Sequence, residues 1–402
     1  MFVFLCIIYN YKYIIEILMI RRGKTMNKKE FLKKYNNYSH GYVIEVFKDD
    51  KDIEFVFGDR IVIPKREKTT SDTLYDIASI TKVFTSVLVY MAYEEGKIDL
   101  NSNVFDIDNN FVNLKSVKVI DLLSHNKNIW TCGYLGNVNS KEEFYNVLYT
   151  AYVKEDIPKY ADINYIILST LLEKIYGISF KKLCINKIFN ILGLKSATFD
   201  PDGSICASNN YEHKDGKIID EVTPGLIHDT KGRVAKKYGI YLGNASIFIT
   251  GKDLLKFLKS FFNNSLLRND TINLMLKHRD IDCLNYKILK KLSHKTEINE
   301  MYREAVNNNS EYEAIKTINN MGTSYRSSIN EMNIIPDNAS NNSIAFSGYT
   351  GVKFLIDFDK KTILVIMCNS VHNSILNRKE RRVIARNLIN YCYDSLVLEK
   401  NI

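Results

Sequence analysis

The sequence has few of the residues that break or cross-link a chain. Its 402 residues include only 18 glycines and 5 prolines. The seven cysteines are odd in number and widely spaced, and they form no C-x-x-C pair or Cys/His cluster. We therefore expect neither a disulfide framework nor a structural zinc site, and no other metal or cofactor. Most of the cysteines should be reduced and buried.

The pattern of a nucleic-acid-binding surface is also missing. The formal charge is +9, but the basic residues are scattered among acidic ones and form no stripe interleaved with aromatic side chains. We expect no nucleic-acid partner, although the charge fits a weak attraction to anionic cell-envelope polymers. The hydrophobic fraction of 46% and the charged fraction of 25% are typical of globular proteins. The length suffices for one large domain or two closely packed ones.

Residues 1–25 differ from the rest of the chain. They begin with the apolar run MFVFLCIIYNYKYIIEILMI. A secretory signal would carry its positive charge before the apolar core, whereas here an arginine pair follows it. Polar residues interrupt the roughly 20 apolar residues that a spanning helix requires. We favour Met26 as the true start, which predicts a cytoplasmic protein. A membrane anchor through residues 1–20 is the second interpretation, and a cleaved signal is the third.

Hydrophobic patterning over residues 26–402 predicts strands near both ends and helices between them. Alternation at 41–62, interrupted by KDDKD, predicts a strand–turn–strand unit, and GVKFLIDF and KTILVIMCN predict two further strands. Helices are predicted at about 80–95, 117–124, 141–152, 163–176, 179–191, 252–266 and 376–396.

These elements predict an α+β fold. We expect an antiparallel sheet built from both chain ends and flanked by helices, with an inserted, mostly helical subdomain at about 97–250. The Asn-, Lys- and Glu-rich stretch at about 268–343 is predicted to be a variable insertion.

A serine three residues before a lysine is the first chemical signal. This pattern occurs three times, beginning at Ser79, Ser124 and Ser179. By itself it is weak, because a serine in this position often caps a helix. The first occurrence differs because it precedes VFTSVLVYMAY, which is apolar on nearly every helical face and is therefore expected to be buried.

A nucleophile at the start of a buried helix would lie in a cleft. Residues three apart share a helix face, so Lys82 can reach Ser79 Oγ. The helix dipole favours developing negative charge there, and the Ser79 backbone N–H can bind an oxyanion. A lysine can accept the serine proton only if burial destabilises its ammonium form. On these grounds alone, an activated serine and a helix cap both stay open.

Longer segments carry a family resemblance. TLYDIASITKVFTSVLVYMAYEEGKIDLNSNVFDI resembles the nucleophile segment of the serine β-lactamase-like superfamily, in its branch of class C β-lactamases, low-molecular-weight penicillin-binding proteins and esterases. Further segments follow in the family's order: VIDLLSHN, YADINYIILSTLLEKIYG, GLIHDTKGRV with GNASIFITGKDLLKFL, and FSGYTGVKFLIDFDKKTILVIMCNSVHN. The resemblance spans residues 40–395 and implies a serine hydrolase with a β-lactamase/transpeptidase-like fold.

The resemblance also implies roles for individual residues. Ser79 would be the acylated nucleophile and Lys82 its proton acceptor. Tyr160 would be a second general base, which passes the proton on and later activates the deacylating water. The backbone N–H groups of Ser79 and Tyr349 would form the oxyanion hole. Asp162 stands where the family often has Asn and would contact a substrate amide less well.

The third family motif departs further from the pattern. Aligned on FSGYTG, Phe346 takes the position of a Lys or His, and Ser347 and Gly348 follow as substrate-binding positions. A Tyr160 phenolate would then be stabilised by Lys82 alone, and no side chain would pair with a substrate carboxylate. A charge-assisted contact of that kind contributes about 1.5–3 kcal/mol, on the order of tenfold to a hundredfold in rate. An uncharged ester is therefore favoured over D-Ala-D-Ala peptides and β-lactams.

The sequence thus predicts a monomeric, metal-free hydrolase of a small ester or amide, working through an acyl-enzyme. The second hypothesis is a D,D-peptidase or D-aminopeptidase acting on cell-wall peptides. The third is a catalytically degenerate binding or sensor protein, motivated by the missing cation and by the changed residues after His125. His125 and His228 are expected to be structural. The partner would be a small-molecule or peptide substrate, with membrane contact only if residues 1–25 are translated.

Overall fold

The fold is described by a computed structural model. It describes residues 28–156, 159–209, 211–214, 217–221, 224–277, 334–336, 338–340, 342–372, 376 and 378–398. Residues 1–25 and most of the stretch at 268–343 lie outside the described residues. The interpretations of those two segments, and the boundaries of the helical subdomain, stay predictions.

The two ends of the chain meet in one antiparallel sheet. The strands of the described residues are β1 (Gly41–Lys48), β2 (Lys51–Ile61), β3 (Glu67–Lys68), β4 (Tyr75–Asp76), β5 (Asn128–Trp130), β6 (Tyr152–Glu155), β7 (Tyr211–Lys214), β8 (Lys217–Glu221), β9 (Phe248–Ile249), β10 (Ser343–Ser347), β11 (Lys353–Asp357) and β12 (Thr362–Cys368). Six of them form a sheet in the order β10-β11-β12-β1-β2-β3, and the others pair as β4-β9, β5-β6 and β7-β8. Strand β1 pairs with β12 across the junction of the two ends, with Val43 opposite Met367. The predicted sheet is therefore confirmed.

Helices cover both faces of this sheet. Those of the described residues are α1 (Lys28–Tyr35), α2 (Thr81–Glu94), α3 (Val104–Ile107), α4 (Val119–Leu123), α5 (Lys141–Leu148), α6 (Asp162–Tyr176), α7 (Phe180–Cys184), α8 (Asn190–Leu192), α9 (Thr230–Lys237), α10 (Gly251–Asn263), α11 (Asn269–Lys277) and α12 (Arg378–Tyr393). A π-helical turn joins α7 to α8, and α5 ends earlier than predicted because the following residues pair with β5 as β6. Within this part of the chain, no helix combines the length and apolar character that a bilayer crossing requires.

Side chains alternate between two hydrophobic clusters on opposite faces of the sheet. Val43 and Phe346 belong to the cluster on the α2 side, whereas Ile44 and Ala345 belong to the cluster with α1 and α12. This alternation is the period of two that a pleated strand imposes. Phe346, near the end of β10, shares its cluster with Ile77 and Ile80, so the end of this strand lies beside the start of α2.

Helix α2 is the buried helix that its apolar sequence predicts. Its residues from Thr81 to Ala92 are all buried. The Phe84 ring stacks on Phe257 of α10, with ring centroids 3.8 Å apart. A helix enclosed in this way has a fixed N-terminus, because packing on every side prevents it from shifting.

The end of β10 touches the turn that precedes α2, and the contact depends on a glycine. A Cβ atom at Gly348 would lie 2.5 Å from the Ile77 carbonyl oxygen and 3.1 Å from the Ala78 Cβ. Real Cβ atoms do not approach backbone oxygen so closely, so any other residue here would force the strand and the turn apart. Gly348 therefore sets the distance between the two walls of the site.

Gly348→Ala should destabilise the protein by about 1–3 kcal/mol through this overlap and should slow any reaction at Ser79. Gly96→Ala is the control, because Gly96 has a φ of 67° but open space around it. Backbone strain alone should cost that variant about 1–2 kcal/mol and leave Ser79 chemistry unchanged. Urea unfolding would measure the loss of stability, and the rate at which a serine-reactive fluorophosphonate probe labels Ser79 would measure the loss of reactivity. Equal labelling by the two variants would contradict the proposed spacing role.

Candidate active site

A strained turn presents Ser79. Ala78 has a φ of 49°, in the left-handed region where a residue other than glycine costs roughly 1–3 kcal/mol. The Asp76 carboxylate compensates by accepting a hydrogen bond from the Ala78 N–H at 2.8 Å. The chain then forms a short 3₁₀ turn, Ala78–Ile80, that leads into α2. Ser79 is therefore held inside this turn.

The serines that begin the three S-x-x-K patterns have different surroundings. Ser179 is the N-cap of α7, and its Oγ accepts from the Lys182 N–H at 3.4 Å. The Ser124 hydroxyl donates to the Ile120 carbonyl at 2.6 Å. Neither the 3₁₀ turn nor α2 has a side-chain cap, so Ser79 does not act as a cap. The structure thus separates the first serine from the other two.

Lys82 is buried beside Ser79. Its side chain is 1% exposed, and its ammonium donates to Ser79 Oγ at 3.2 Å, to Asp162 Oδ1 at 2.8 Å and to the Asn244 carbonyl at 3.0 Å. An ammonium has three N–H donors, and these three acceptors match them. Burial of the charge is thereby compensated without a contact to solvent.

Tyr160 contacts the same serine from the other side of the site. Its hydroxyl donates to Ser79 Oγ at 2.8 Å, and the Lys82 Nζ lies 4.9 Å from the centroid of its ring. Tyr160 lies just before α6. The structure therefore brings the predicted residues Ser79, Lys82 and Tyr160 together in one hydrogen-bonded group.

Asp162 bridges two lysines. While Oδ1 accepts from Lys82, Oδ2 lies 3.2 Å from the Nζ of Lys231, and Lys231 also pairs with Asp229 Oδ2 at 2.7 Å. Burial alone would raise the pKa of Asp162, but the two ammonium groups hold it well below its usual range. Asp162 is therefore an anion at neutral pH. The sequence interpretation did not include Lys231 or Asp229.

A second polar group lies on the opposite side of the nucleophile turn. Asp76 Oδ2 accepts from the His228 backbone N–H at 2.8 Å and lies 2.9 Å from His228 Nδ1. Burial would lower the pKa of His228, but the Asp76 carboxylate raises it above its ordinary value. The imidazole also stacks on the Tyr349 ring, with centroids 5.5 Å apart. Asp76 thus connects the Ser79 turn to the Tyr349 wall.

His125 supports the Tyr160 side of the site. Its Nδ1 lies 3.0 Å from the Asn164 side-chain nitrogen, and its ring centroid lies 4.7 Å from that of Tyr160. Burial, together with the Lys82 charge, lowers the pKa of His125 to about 3. A neutral imidazole packed in this way has the structural character that the sequence predicts.

The third motif is arranged differently from the expectation. Phe346 is only 2% exposed and belongs to the apolar cluster of Ile77 and Ile80. Of the described residues at this strand end, Ser347, Gly348 and Tyr349 line the cavity. Phe346 therefore fills the core beneath the site, and substrate contact falls to the residues that follow it. The Tyr349 side chain is 52% exposed.

These groups surround a cavity of about 430 Å³. Ser79, Tyr160, Asp162, Asn244 and Tyr349 are among the residues that line it. Three basic residues that the sequence interpretation did not include also line it: Lys353 on β11, and Arg381 and Arg382 on α12. No local pattern marks these cations, because they reach the cavity from elements far from Ser79 in the chain.

A serine between a lysine and a tyrosine, at the start of a buried helix against an antiparallel sheet, agrees with the family resemblance of the sequence. The β-lactamase family model matches residues 38–387. The chain belongs to the β-lactamase family. This family of serine hydrolases includes β-lactamase and carboxypeptidase types.

Individual relatives are distant. A putative D-alanyl-D-alanine carboxypeptidase of Salmonella heidelberg (strain SL476) is 27% identical over 228 residues, covering 49% of this chain and 52% of that protein. The chain thus matches about half the length of such curated relatives.

Solved structures show the shared fold. The octameric penicillin-binding protein homologue from Pyrococcus abyssi aligns with a TM-score of 0.63 at 20% identity, covering 93% of this chain and 77% of that one. A class C β-lactamase from Rhodobacter sphaeroides aligns with a TM-score of 0.59 at 14% identity, covering 91% and 97%.

The pairing of His228 with Asp76 predicts a pH-dependent stability. Because the folded-state pKa is raised, the pairing contributes fully below about pH 6.5, the unfolded pKa, and is lost as the pH rises through the folded value. His228→Gln should therefore cost about 1.5–3 kcal/mol at pH 6, as for a hydrogen bond to a charged group, and less at pH 9.

Urea unfolding of the parent and variant at both pH values measures this difference. His40→Gln is the control, because burial and then Arg66 lower the pKa of His40, so its contribution changes in the opposite direction. A cost of His228→Gln that grows with pH would refute the assignment.

Proposed function

We propose that this protein is a serine hydrolase that forms an acyl-enzyme on Ser79 and cleaves a small ester or amide. The observation that carries the proposal is the position of Ser79 Oγ, 3.2 Å from Lys82 Nζ and 2.8 Å from the Tyr160 hydroxyl. Both distances allow direct proton transfer. This contact with two potential bases distinguishes Ser79 from the other two serines of the pattern.

The acylation step follows from this arrangement. Ser79 Oγ attacks the substrate carbonyl carbon, and its proton passes to the Lys82 amine or the Tyr160 phenolate, whichever of the two groups has first lost its own proton. The carbonyl oxygen becomes an oxyanion, for which the backbone N–H groups of Ser79 and Tyr349 are the proposed donors. When the bond to the leaving group breaks, the leaving alcohol or amine takes the proton, and the acyl group stays on Ser79 as an ester.

In deacylation, water takes the place of Ser79 as the nucleophile, and Ser79 Oγ becomes the leaving group. Tyr160 lies beside the ester oxygen of Ser79, so its deprotonated oxygen can take a proton from an attacking water. The water oxygen bonds to the acyl carbon, the bond to Ser79 Oγ breaks, and the serine recovers a proton through Tyr160 or Lys82. The acyl group leaves as a carboxylic acid.

The composition of the walls bears on the substrate. Phe346 provides an apolar base beneath the strand end where the family pattern has a cation. Tyr134 and Tyr349 line the cavity and are 51% and 52% exposed, so aromatic surface is available to an apolar acyl or alcohol group. These features support an uncharged ester as the substrate class.

Ser79→Ala should abolish labelling by a fluorophosphonate probe and turnover of p-nitrophenyl acetate. Ser179→Ala is the matched control, because it removes the serine of the same S-x-x-K pattern from the N-cap of α7. That variant should lose about 1 kcal/mol of stability and keep full labelling. Gel fluorescence and intact mass give the readout.

The same experiment separates the third hypothesis. A parent protein labelled at Ser79 without ester turnover would indicate a binding or sensor protein that acylates once. A parent labelled by neither the fluorophosphonate nor a fluorescent penicillin would exclude the hydrolase proposal.

A D,D-peptidase or D-aminopeptidase acting on cell-wall peptides is the second candidate. Arg381 and Arg382 line the cavity, so cations that the third motif lacks are supplied by α12. A D-Ala-D-Ala peptide ends in a carboxylate, which an arginine can bind with paired hydrogen bonds. The Salmonella relatives carry the name of this activity.

Replacing both Arg381 and Arg382 with Met should separate this candidate from an esterase. If the two arginines bind a substrate carboxylate, penicillin labelling of the variant should slow by about tenfold to a hundredfold, with p-nitrophenyl acetate turnover unchanged. Arg268→Met, at a largely exposed position, is the control. Equal loss with both substrates would contradict carboxylate recognition by α12.

A further inference from the structure

The candidate base is in contact with a carboxylate, and this creates a problem for its chemistry. Asp162 Oδ1 lies 2.8 Å from the Lys82 Nζ. An anion at that distance favours the ammonium form of a lysine, whereas a lysine that takes the serine proton must first be neutral. The contact between Asp162 and Lys82 therefore opposes the role of Lys82 as a base.

A second cation changes this balance. Lys231 lies 3.2 Å from the other oxygen of Asp162 and also pairs with Asp229. The four side chains form a row of alternating charge in which Asp162 is shared between two ammonium groups. The Lys231 side chain is 18% exposed, so water screens this contact less than it would at the surface.

Lys231 is held in place by its own helix. Asp229 is the N-cap of α9 and accepts from the Gly232 N–H at 2.9 Å. The same carboxylate binds Lys231 through its other oxygen. Burial would lower the pKa of Lys231, but Asp162 and Asp229 raise it above its ordinary value. Lys231 is thus a permanent, fixed cation.

We infer that Lys231 is a positioning residue, which shares the Asp162 carboxylate with Lys82 and so weakens the hold of that carboxylate on the Lys82 proton. This inference rests on the proposed function, because it assigns a role relative to Lys82 as the base. Lys231 itself touches no reacting atom. Its effect reaches Ser79 through Asp162 and Lys82.

Several further ionisable groups lie near Lys82 and Asp162, but none of them supplies another cation in contact with the Asp162 carboxylate in the described part of the chain. Those beside Lys82 are Tyr160, Asp162, Tyr165 and His125. His228, Asp229 and Lys231, from the start of α9 and the residues before it, interact with Asp162 or with each other. His125 is neutral above about pH 3. His228 pairs with Asp76, which lies on the other side of the turn. Lys231 is therefore the second cation, after Lys82, that contacts Asp162.

The pH dependence of Ser79 labelling by a fluorophosphonate tests the inference. In that reaction, Ser79 Oγ bonds to phosphorus, fluoride leaves, and the serine proton passes to the base. Lys231→Met should shift the acidic limb of the rate profile to higher pH by about one unit, so that labelling below the limb is about tenfold slower. Lys231→Arg keeps the cation and should retain the parent profile.

Two further variants fix the cause. Asp162→Asn removes the carboxylate and should move the limb to lower pH. Adding Lys231→Met to Asp162→Asn should change the limb by much less than Lys231→Met changes it in the parent, because the effect of Lys231 acts through Asp162. Lys181→Met, which removes a lysine that pairs with Asp200, should leave the profile unchanged.

The outcomes are distinct. An unchanged limb in a folded Lys231→Met protein overturns the inference while labelling of the parent upholds the proposed function. A parent that is not labelled at Ser79 overturns both. If Lys231→Met does not fold, Asp162→Asn carries the test alone, and a limb that fails to move to lower pH refutes the role of the shared carboxylate.

Discussion

The burial of the Lys82 ammonium is the constraint on which the site depends. Helix α2 is packed on every side, and the first turn of that helix carries a charge that is 1% exposed. Such a charge is tolerated only when hydrogen-bond acceptors surround it. Ser79, Asp162 and the Asn244 carbonyl supply them. Three separate parts of the chain are therefore held at fixed distances around one nitrogen atom.

Electrostatic compensation then extends outward from that nitrogen atom. Asp162 balances Lys82, Lys231 balances Asp162, and Asp229 balances Lys231. On the opposite side, Asp76 holds the strained Ala78 backbone and pairs with His228. Networks of this kind require every member to be satisfied, because an unpaired buried group is costly. These contacts fix the positions of Ser79, Lys82 and Asp162 relative to one another.

The third motif illustrates how a site changes when one side chain changes character. Phe346 lies on the α2 side of the sheet, where its ring joins the apolar core. The basic residues of the cavity come instead from β11 and α12, as Lys353, Arg381 and Arg382. Positive charge is thus present in the cavity, but at another wall. A substrate anion would have to bind in a different orientation from one that the strand end holds.

The sequence by itself determined the features that depend on neighbours in the chain. Alternation predicted β1 and β2, apolar periodicity predicted the burial of α2, and ordered segments predicted the family. The apolar helix that follows distinguished Ser79 from Ser179, but the S-x-x-K spacing left a helix cap and an activated serine both open.

The family resemblance implied a role for Tyr160 beside Ser79, but only the tertiary structure shows the two side chains in contact. The Tyr160 and Ser79 contact joins residues 81 apart, and the His228 and Asp76 contact joins residues 152 apart. Local propensity carries no information about such pairs, since they form only when the sheet and helices pack. The same reason explains why Lys231, unremarkable in HDTKGRV, becomes a neighbour of the candidate base only in the folded chain.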